Sequence, residues 1–384
     1  MTIPSVQLGL RIGPLLPGPA PAELMQALQS VEVTQTDSAP CTFRLTFYVD
    51  PSNPVPVGSN PLFASFNRVM LRVSVGGSVA TLIDGFVTSF QYGPGDAPGA
   101  ATLVVAGEDL SVAMDRVDIS RGFPGFDDDA IAVEVLAPYL VLGLVPVIGI
   151  GLDPLVPYDH VPQQAGTDRQ TIQQVAQRNG FVFYVTPTPV PFVNTAYWGP
   201  PLRAGSIQAV LDPGGPWSNV DSLQFDHNPL APTAYFGAVM ETTIDPNEPV
   251  PVVTTISTRI PPLATDPALS PLTFAGPSVR KELWRDQELD PVAAQATAQA
   301  LTNLSTDSVV SATCELSPAR LGTVVQAPGL VGVRNATPRY DGLYYLKSAA
   351  HRLSCGAGGS WDYRQTLALE REGTGSTLPA LVAS

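Results

Sequence analysis

Histidine and cysteine side chains are the first candidates for chemistry in this chain, because they bind metals and act as acids, bases or nucleophiles. The nearest approach to a metal-binding set is Cys314, His351 and Cys355, since His160 and His227 lie far from them in sequence. His351 and Cys355 are four residues apart on a predicted strand, which separates them by ~13 Å. One zinc ion could not easily bridge that distance. We therefore expect no metal site, and we interpret His351 as a structural residue.

Carboxylates are the next candidates, and they cluster at Asp127, Asp128 and Asp129. A calcium-binding loop of the EF-hand type needs oxygen ligands at alternating positions and a distant glutamate, a pattern that FDDDAIAVEV lacks. The simpler interpretation is that these residues cap a helix over 127–137 and interact with its dipole. A glycosidase could use any two carboxylates, but 34 acidic residues make such pairs inevitable, so none is singled out.

Catalytic and cofactor motifs are absent from the sequence: there is no GxSxG, HExxH, CxxC pair or GxxxxGK[ST]. The four tryptophans Trp198, Trp217, Trp284 and Trp361 could form a sugar-binding platform. Tryptophans spread over three blocks of sequence are more typical of cores and interfaces. We predict that the protein is not an enzyme and needs no cofactor.

The net charge of −14, without any basic run, argues against direct nucleic-acid recognition, which needs clustered lysine and arginine. The acidity is explained by solubility. The alternative, which solubility outweighs but which stays open, is that acidic residues line a passage that repels a polyanion or a negatively charged cargo. With 44% hydrophobic and only 14% charged residues, the composition argues against disorder over most of the chain.

The three cysteines are too few and too scattered for a disulfide framework, which favours a reducing compartment at synthesis. The N-terminus MTIPSVQLGLRIG lacks the basic region and compact apolar core of a signal peptide, so we expect cytoplasmic synthesis. The most apolar run, 140–152, is too short to cross a bilayer and contains Gly and Pro. We interpret it as a buried strand or a packing loop, and we expect no stable membrane insertion.

The elements that must position these residues fall into three blocks followed by a tail. The 40 prolines, together with many Val and Thr, suggest β-structure with long ordered loops. Residues 1–110 read as antiparallel strands with a short helix at 22–30 and a hairpin turn at Gly76-Gly77. Residues 111–205 form an α+β insert with helices at 127–137 and 168–179. Residues 206–372 return to β-structure, and 373–384 form a C-terminal tail.

Finer features of the two β-blocks follow from composition and alternation. In the last block a Pro-rich loop at 246–279 interrupts the strands, and a connection of that length is either functional or mobile. An alanine-rich helix over 291–305 follows it, capped by Asp290 with Pro291 in its first turn. The strand-like segments predicted in the two β-blocks are 6–12, 31–36, 41–49, 68–75, 78–92, 100–108, 218–228, 233–245, 309–317, 323–327, 342–353 and 362–371.

The segment TDRQTIQQVAQRNGFVFYV, residues 167–185, is the most informative stretch. Thr167 or Asp168 can cap a helix, and Ile172, Val175 and Ala176 give it one narrow apolar face. Asn179-Gly180 tolerates the left-handed conformation that ends a helix, and 181–185 is aromatic and β-branched, as strands are. The sequence therefore predicts one helix running directly into one strand.

This helix–strand unit resembles a segment of the phage late control gene D proteins, which include the baseplate hub of contractile tails and the N-terminal part of VgrG spikes. GEDLSVAMDR (107–116) and FDDDAIAVEVLAPYLVLGL (126–144) resemble further segments of that family in the same order. The closing hairpin at 341–371 also resembles it, through Gly342, Tyr344, His351, Tyr363, Thr366 and Arg371. The chain departs from the family in its Pro-rich interruption at 245–279 and in Leu346, where the family often has Val.

The resemblance implies two tail-tube-like β-barrel domains with a small helix–strand domain inserted between them. It implies a homotrimeric hub that joins a six-fold inner tube to a three-fold spike, in a phage tail or a contractile injection particle. The expected partners are the inner tail-tube protein, other baseplate proteins and a separate spike chain, to which the tail at 373–384 would dock. The alternatives that stay open are another β-rich assembly or adhesion protein and a cell-wall hydrolase.

Overall fold

The computed structural model describes residues 5–49, 61–94, 101–150, 161–214, 218–240, 248–286, 289, 291–356 and 359–377. Strands dominate these residues, which confirms the predicted mainly β fold with an α+β insert. Within these ranges no helix is long and apolar enough to cross a membrane.

The first block is almost entirely strand, because its alternating apolar residues turn one face of each strand inward. Gly76 and Gly77, with φ of 60° and 88°, form the predicted turn between its two central strands. The helix expected at 22–30 ends at Ala27, because Leu28 already belongs to the next strand. The elements of this block are β1 (Val6–Gly13), β2 (Gly18–Pro19), α1 (Ala22–Ala27), β3 (Leu28–Thr36), β4 (Thr42–Val49), a 3-10 helix (Pro61–Phe63), β5 (Arg68–Val75), β6 (Ser78–Pro94) and β7 (Ala101–Asp109).

The insert combines short strands with two α-helices. Both predicted helices are present, and the strand predicted at 181–185 is present one residue later. The elements of the insert are a 3-10 helix (Leu110–Asp115), β8 (Asp118–Gly122), α2 (Asp128–Leu136), a second 3-10 helix (Ala137–Leu142), β9 (Leu144–Ile148), β10 (Gln163–Thr167), α3 (Asp168–Arg178), β11 (Val182–Pro187) and β12 (Asn194–Gly199).

The last block combines many strands with a 17-residue helix, the longest helix among the described residues. Its elements are β13 (Ile207–Leu211), β14 (Ser222–His227), β15 (Thr233–Met240), β16 (Pro249–Val253), β17 (Asp266–Pro267), β18 (Arg280–Leu283), α4 (Pro291–Asp307), β19 (Val310–Leu316), α5 (Pro318–Leu321), β20 (Gly329–Val333), β21 (Gly342–Cys355), β22 (Trp361–Arg371) and β23 (Gly373–Thr374). The predicted helix cap Asp290 lies outside the described residues.

Two expectations about this block are wrong. Residues 323–327 do not form a strand, because the backbone of Val325 pairs with the amide side chain of Gln365 instead of a neighbouring strand. The Pro-rich segment is also more than a loop. Its described part contains β16, which pairs with β15, and β17, and it buries Leu263 and Leu269.

The apolar run at 140–152, predicted as a buried strand or a packing loop, packs on the insert core through Leu142, Leu144 and Ile148, but most of its described residues are not buried. It contributes β9, which pairs with β12 and has no second neighbour among the described strands. Leu144 is buried, but Val145 and Val147 point outward with nearly half of their surface exposed. An edge strand that is covered on one face alternates in this way.

One sheet runs through both β-blocks. In the described residues its strand order is β14-β19-β22-β21-β3-β4-β7-β6-β5-β1-β2, with β20 and then β13 branching from β21. The two blocks meet where β3 pairs antiparallel with β21, with His351 opposite Val33. Each block nevertheless has its own apolar core, and a third core, around Ile172 and Trp198, fills the insert.

Local signals explain how α3 and α2 begin. The Thr167 hydroxyl accepts a hydrogen bond from the Gln170 backbone N–H, and the Gln170 side chain accepts one from the Thr167 N–H, which completes a capping box. The Asp127 carboxylate accepts from the Ala130 N–H in the same way. Asp128, predicted as part of the same cap, instead lies buried and pairs with Arg178 and Asn179 of α3, which joins the two helices.

Candidate assembly site at the end of the closing strand

The histidine, cysteine and acidic side chains considered as candidates from the sequence do not come together in one site in the described part of the chain. Among the described residues no group of three or more His, Cys, Asp or Glu could hold a metal ion. Cys314 lies in the core of the last block, whereas Cys355 is exposed at the end of β21. His227 Nδ1 forms a hydrogen bond of 2.8 Å with the Arg339 guanidinium. His160 lies outside the described residues.

His351 is fully buried in a network of neutral side chains. Its Nε2 lies 3.0 Å from Gln35 Oε1, and its Nδ1 lies 2.8 Å from the Tyr363 hydroxyl and 3.0 Å from Gln365 Nε2. Gln35 Nε2 donates to the Leu82 carbonyl, so Oε1 is the acceptor that faces the ring. His351 therefore carries its proton on Nε2 and accepts on Nδ1. Burial lowers the pKa of His351 to about 3, so the ring is neutral and structural, as interpreted from sequence.

The tryptophans form no exposed platform among the described residues. Trp198 is buried in the insert, 5.0 Å from the Phe181 ring, and Trp284 packs edge-on against Tyr235 beside α4. Trp361 is partly buried against the core of the first block. Trp217 lies outside the described residues.

Arg371, the last residue of β22, organises the end of the closing strand. Its side chain is fully buried, and its guanidinium donates to the carbonyls of Arg339, Asp341, Gly373 and Gly375. The guanidinium carbon also lies 4.4 Å from the centre of the Tyr344 ring. Burial lowers the pKa of this arginine, but an arginine side chain stays protonated in proteins. Two residues that carry the family resemblance, Tyr344 and Arg371, are thus direct partners.

Glu372, the next residue, ties the closing strand to the Pro-rich segment and to α4. Its carboxylate accepts hydrogen bonds from the Leu263 and Ala264 backbone N–H groups. The same carboxylate forms an ion pair with Arg203 at 2.5 Å. Arg203 also pairs with Asp307 at the end of α4, and Arg259 reaches the same carboxylate at 2.7 Å. Arg259 further donates to the Gly180 carbonyl of the insert. We call Arg371, Glu372, Arg203, Asp307 and Arg259 the C-terminal anchor.

The start of the tail is held by this anchor, so Gly373 and Gly375 do not release the chain from the sheet. Gly373 and Thr374 pair antiparallel with Pro267 and Asp266 of β17. A Cβ on Gly373 would lie 2.2 Å from the Asp266 carbonyl oxygen. Gly375 has a φ of +80°. The glycines permit close backbone approach and a left-handed bend instead of freeing the chain. Residues 378–384 lie outside the described residues.

A second candidate site is the outer face of the sheet formed by β15, β16 and β18. On β15, Phe236 stands between Val253 of β16 and Leu283 of β18, and each is about half exposed. Met240 extends the same face. The opposite face of this sheet packs on α4 through Val239, Val252 and Trp284. We call the outward residues Phe236, Met240, Val253 and Leu283 the apolar sheet face, and contiguous exposed apolar surface of this kind is typical of protein–protein contacts.

Sequence reasoning missed the C-terminal anchor apart from Arg371. Arg203 and Glu372 are 169 residues apart, and Arg259 and Asp307 are 48 apart. No local periodicity connects such pairs. The only available signal was that basic residues are few in this chain, 20 Lys and Arg in 384 residues, so that each arginine placed in an apolar, Pro-rich context needs a partner.

The sequence matches no protein-family profile and no curated protein. Its structure is similar to that of a tail protein from Neisseria meningitidis MC58, with a TM-score of 0.63 at 13% identity over 96% of this chain and 97% of that one. The 43 kDa tail protein of prophage MuSo2 from Shewanella oneidensis also has a TM-score of 0.63, at 14% identity over 96% of this chain and 99% of that one.

A component of the E. coli type VI secretion system, c3393, has a TM-score of 0.54 at 10% identity over 93% of this chain and 77% of that one. That protein exhibits structural similarity to the T4 bacteriophage tail proteins gp27 and gp5. The chain therefore has the fold of phage tail proteins and of a related secretion-system component.

Proposed function

We propose that the protein is a structural baseplate hub of a contractile phage tail or of a phage-derived contractile injection system. The observation that carries the proposal is the similarity of nearly the whole chain to nearly the whole of two phage tail proteins. Such agreement over the full length covers both β-blocks and the insert together. The proposed role is therefore that of the whole arrangement and not of one domain.

The proposed assembly is a homotrimer that joins a six-fold tube to a three-fold spike. A chain with two β-barrel domains, proposed at 1–110 and 206–372, presents six such domains around a three-fold axis. The continuous sheet across β3 and β21 supports this role, since it fixes the two β-blocks relative to each other. The apolar sheet face offers a contact surface to a neighbouring chain in the assembly.

The proposed partners are a separate spike chain, the inner tube protein and other baseplate proteins. The C-terminal anchor holds the chain up to Thr377, whose hydroxyl donates to the Leu263 carbonyl. The tail would thus leave the subunit at a fixed point, which suits a segment that docks to the spike.

The test is the mass of the purified protein by light scattering, together with co-purification of co-expressed tube and spike proteins. A particle of three times the 40.4 kDa chain mass that captures both proteins is the expected result. A monomer at all concentrations that captures neither protein would contradict the proposal.

A further inference from the structure

The outer face of α2 and of the 3-10 helix that follows it (Ala137–Leu142) is apolar, although it is exposed in the single chain. The inner face of α2 packs on the core of the insert through Ile131 and Val135. Away from that core, Val133, Leu140 and Val141 are each half exposed or more. We call these three residues the insert stripe. A helix that is apolar on both its inner and its outer face is normally covered on both.

The neighbouring helix α3 shows which side chains this insert presents to water. Its inner face carries Ile172 and Val175, which belong to the same core. Its exposed positions include Gln174, Gln177 and Arg178, all of which are polar. Since the chain places polar side chains where α3 meets water, the apolar insert stripe indicates contact with another protein surface.

The apolar sheet face of the last β-block is a second uncovered surface. In the described part of β15 and β16 every outward position is apolar, because Ala238 stands opposite Pro251 and Met240 stands opposite Pro249. These positions extend the row formed by Phe236 and its neighbours on β16 and β18. The chain thus carries two separate apolar surfaces, one on a helix and one on a sheet.

Charges of opposite sign flank the two surfaces. On α2, Asp129 lies one turn before the stripe residue Val133, and the next residue, Glu134, has more than half of its side chain exposed. On β18, Lys281 lies on the same side of the strand as Leu283, and its ammonium group lies 5.2 Å from the centre of the Phe274 ring. Lys281 has no carboxylate partner among the described residues, since the neighbouring Glu282 pairs with Arg280. The helix surface is therefore acidic at its rim and the sheet surface is basic.

Three-fold symmetry requires two different surfaces of this kind on each chain. A contact around a three-fold axis is heterologous, so one surface of a copy meets a different surface of the next copy. Pairing of the insert stripe with itself would bring together the Glu134 carboxylates of two copies. Pairing of the apolar sheet face with itself would bring together two Lys281 side chains. Like charges disfavour both arrangements, whereas the mixed pairing joins opposite charges.

We propose that the insert stripe of one copy packs on the apolar sheet face of the next copy around the three-fold axis. Val133, Leu140 and Val141 then cover the sheet around Phe236, and the acidic rim of α2 faces the basic rim of β18. The inference rests on the proposed trimeric hub and names the surfaces that join its subunits. It explains why both surfaces are apolar although neither is covered within the chain.

Cysteine crosslinking of the full-length protein tests this pairing. The background is Cys355→Ser, because Cys355 is exposed whereas Cys41 and Cys314 are buried. Val141→Cys and Leu283→Cys are introduced singly and together, and each protein is treated with a short bismaleimide. Only the double variant should give covalent dimers and trimers on a denaturing gel, because the contact joins two different surfaces.

Two further cysteine pairs provide the register and the control. Val133→Cys with Leu283→Cys samples the other end of the insert stripe, so that at least one of the two stripe positions should crosslink. Gln174→Cys with Leu283→Cys has the same number of exposed thiols, but Gln174 lies on the polar face of α3. This control pair should stay uncrosslinked.

The particle mass and the capture of tube and spike proteins are measured on the same samples. Crosslinking of a single-cysteine variant would overturn the proposal, because a surface would then be paired with itself. A trimer in which neither stripe position crosslinks to Leu283→Cys would also overturn it and would leave the hub function standing. A monomer that captures neither tube nor spike protein would instead contradict the hub function, and this inference with it.

Discussion

Gln35 of β3 and His351 of β21 join the two β-blocks through a buried hydrogen bond of 3.0 Å between residues 316 positions apart. Gln35 also accepts from the Ala327 backbone N–H, while its side-chain N–H group donates to the Leu82 carbonyl. Both acceptor positions of the Gln35 carbonyl oxygen and both nitrogens of the His351 ring are thus used in hydrogen bonds. A proton added to the Nδ1 of His351 would face the donating Gln365 amide and would displace these contacts.

We predict that His351 makes the protein acid-sensitive. Its pKa is about 3 in the folded chain and 6.5 when unfolded, so below pH 6.5 the unfolded state binds a proton that the folded state does not. Stability should fall as the pH drops from 6.5 towards 3, by roughly 5 kcal/mol at most. His351→Gln should be less stable at pH 7 but should lose less stability on acidification. Urea unfolding from pH 4 to 8 measures this, and equal pH slopes in the two proteins would contradict the prediction.

We predict that Asp37 gives the stability a pH dependence opposite to that from His351. Burial raises the pKa of Asp37 from 3.8 to about 6, so between these values the folded state binds the extra proton. Stability from this group is therefore lost as the pH rises from 3.8 to 6. Asp37→Asn should stabilise the protein by about 2–3 kcal/mol at pH 8 and little at pH 4. Asp362→Asn, at an exposed position of β22, is the control and should leave the unfolding free energy unchanged at both pH 8 and pH 4. A destabilised Asp37→Asn protein at pH 8 would refute the assignment.

The insert should depend on the apolar face of α3. Ile172 is fully buried in the same core as Val135 and Trp198. Ile172→Asp would bury a charge without a partner and should cost about 4 kcal/mol or more in thermal or urea unfolding. Gln174→Asp, on the exposed face of the same helix, should stay within about 0.5 kcal/mol of the wild type. Wild-type stability of Ile172→Asp would show that the insert core tolerates the charge.

The apolar sheet face should support self-association. Phe236→Glu places a charge between Val253 and Leu283 without touching the core beneath, because Phe236 is 46% exposed. The variant should fold with near wild-type unfolding temperature but should shift the particle mass from trimer towards monomer. Val79→Glu, on the strongly exposed start of β6, is the matched control and should assemble normally. An unchanged mass for Phe236→Glu would exclude this face as a subunit contact.

Local sequence signals were sufficient for α2, α3 and β11 of the insert. The capping box at Thr167, the stripe around Ile172 and the glycine at 180 all act within a few residues, so α3 and β11 could be predicted closely. β20 could not be predicted from the sequence, because Gly329 and Gly332 interrupt its apolar pattern and Pro328 precedes it. The strand exists because its backbone pairs with β21, a contact that only the fold supplies.

The C-terminal anchor was beyond sequence reasoning for a different reason. Arg203, Arg259 and Asp307 are far apart in the sequence, and each sits in a segment without a distinctive motif. Their importance follows from burial and from ion pairs, which are properties of the assembled structure. Arg371 could be singled out only through the resemblance of the closing hairpin to a known family.

The end of the closing strand yields the last prediction, in which two truncations should behave differently. Removing 373–384 takes away β23 and the Gly373 and Gly375 carbonyls that accept from the buried Arg371 guanidinium. Leaving a buried charge short of partners should cost about 2–4 kcal/mol of unfolding free energy. Removing only 378–384 should leave that free energy unchanged, because the contacts that the structure describes for the C-terminal anchor all lie before residue 378.

The shorter truncation then tests spike docking on an intact subunit. It should preserve the trimer mass but weaken co-purification with the spike protein, since Leu378, Leu381 and Val382 carry most of the apolar surface of the tail sequence. Replacing 378–384 with a Gly/Ser segment of equal length controls for chain length and should weaken docking to the same degree. Undiminished spike capture by both proteins would show that docking uses the folded surface of the subunit and not its tail.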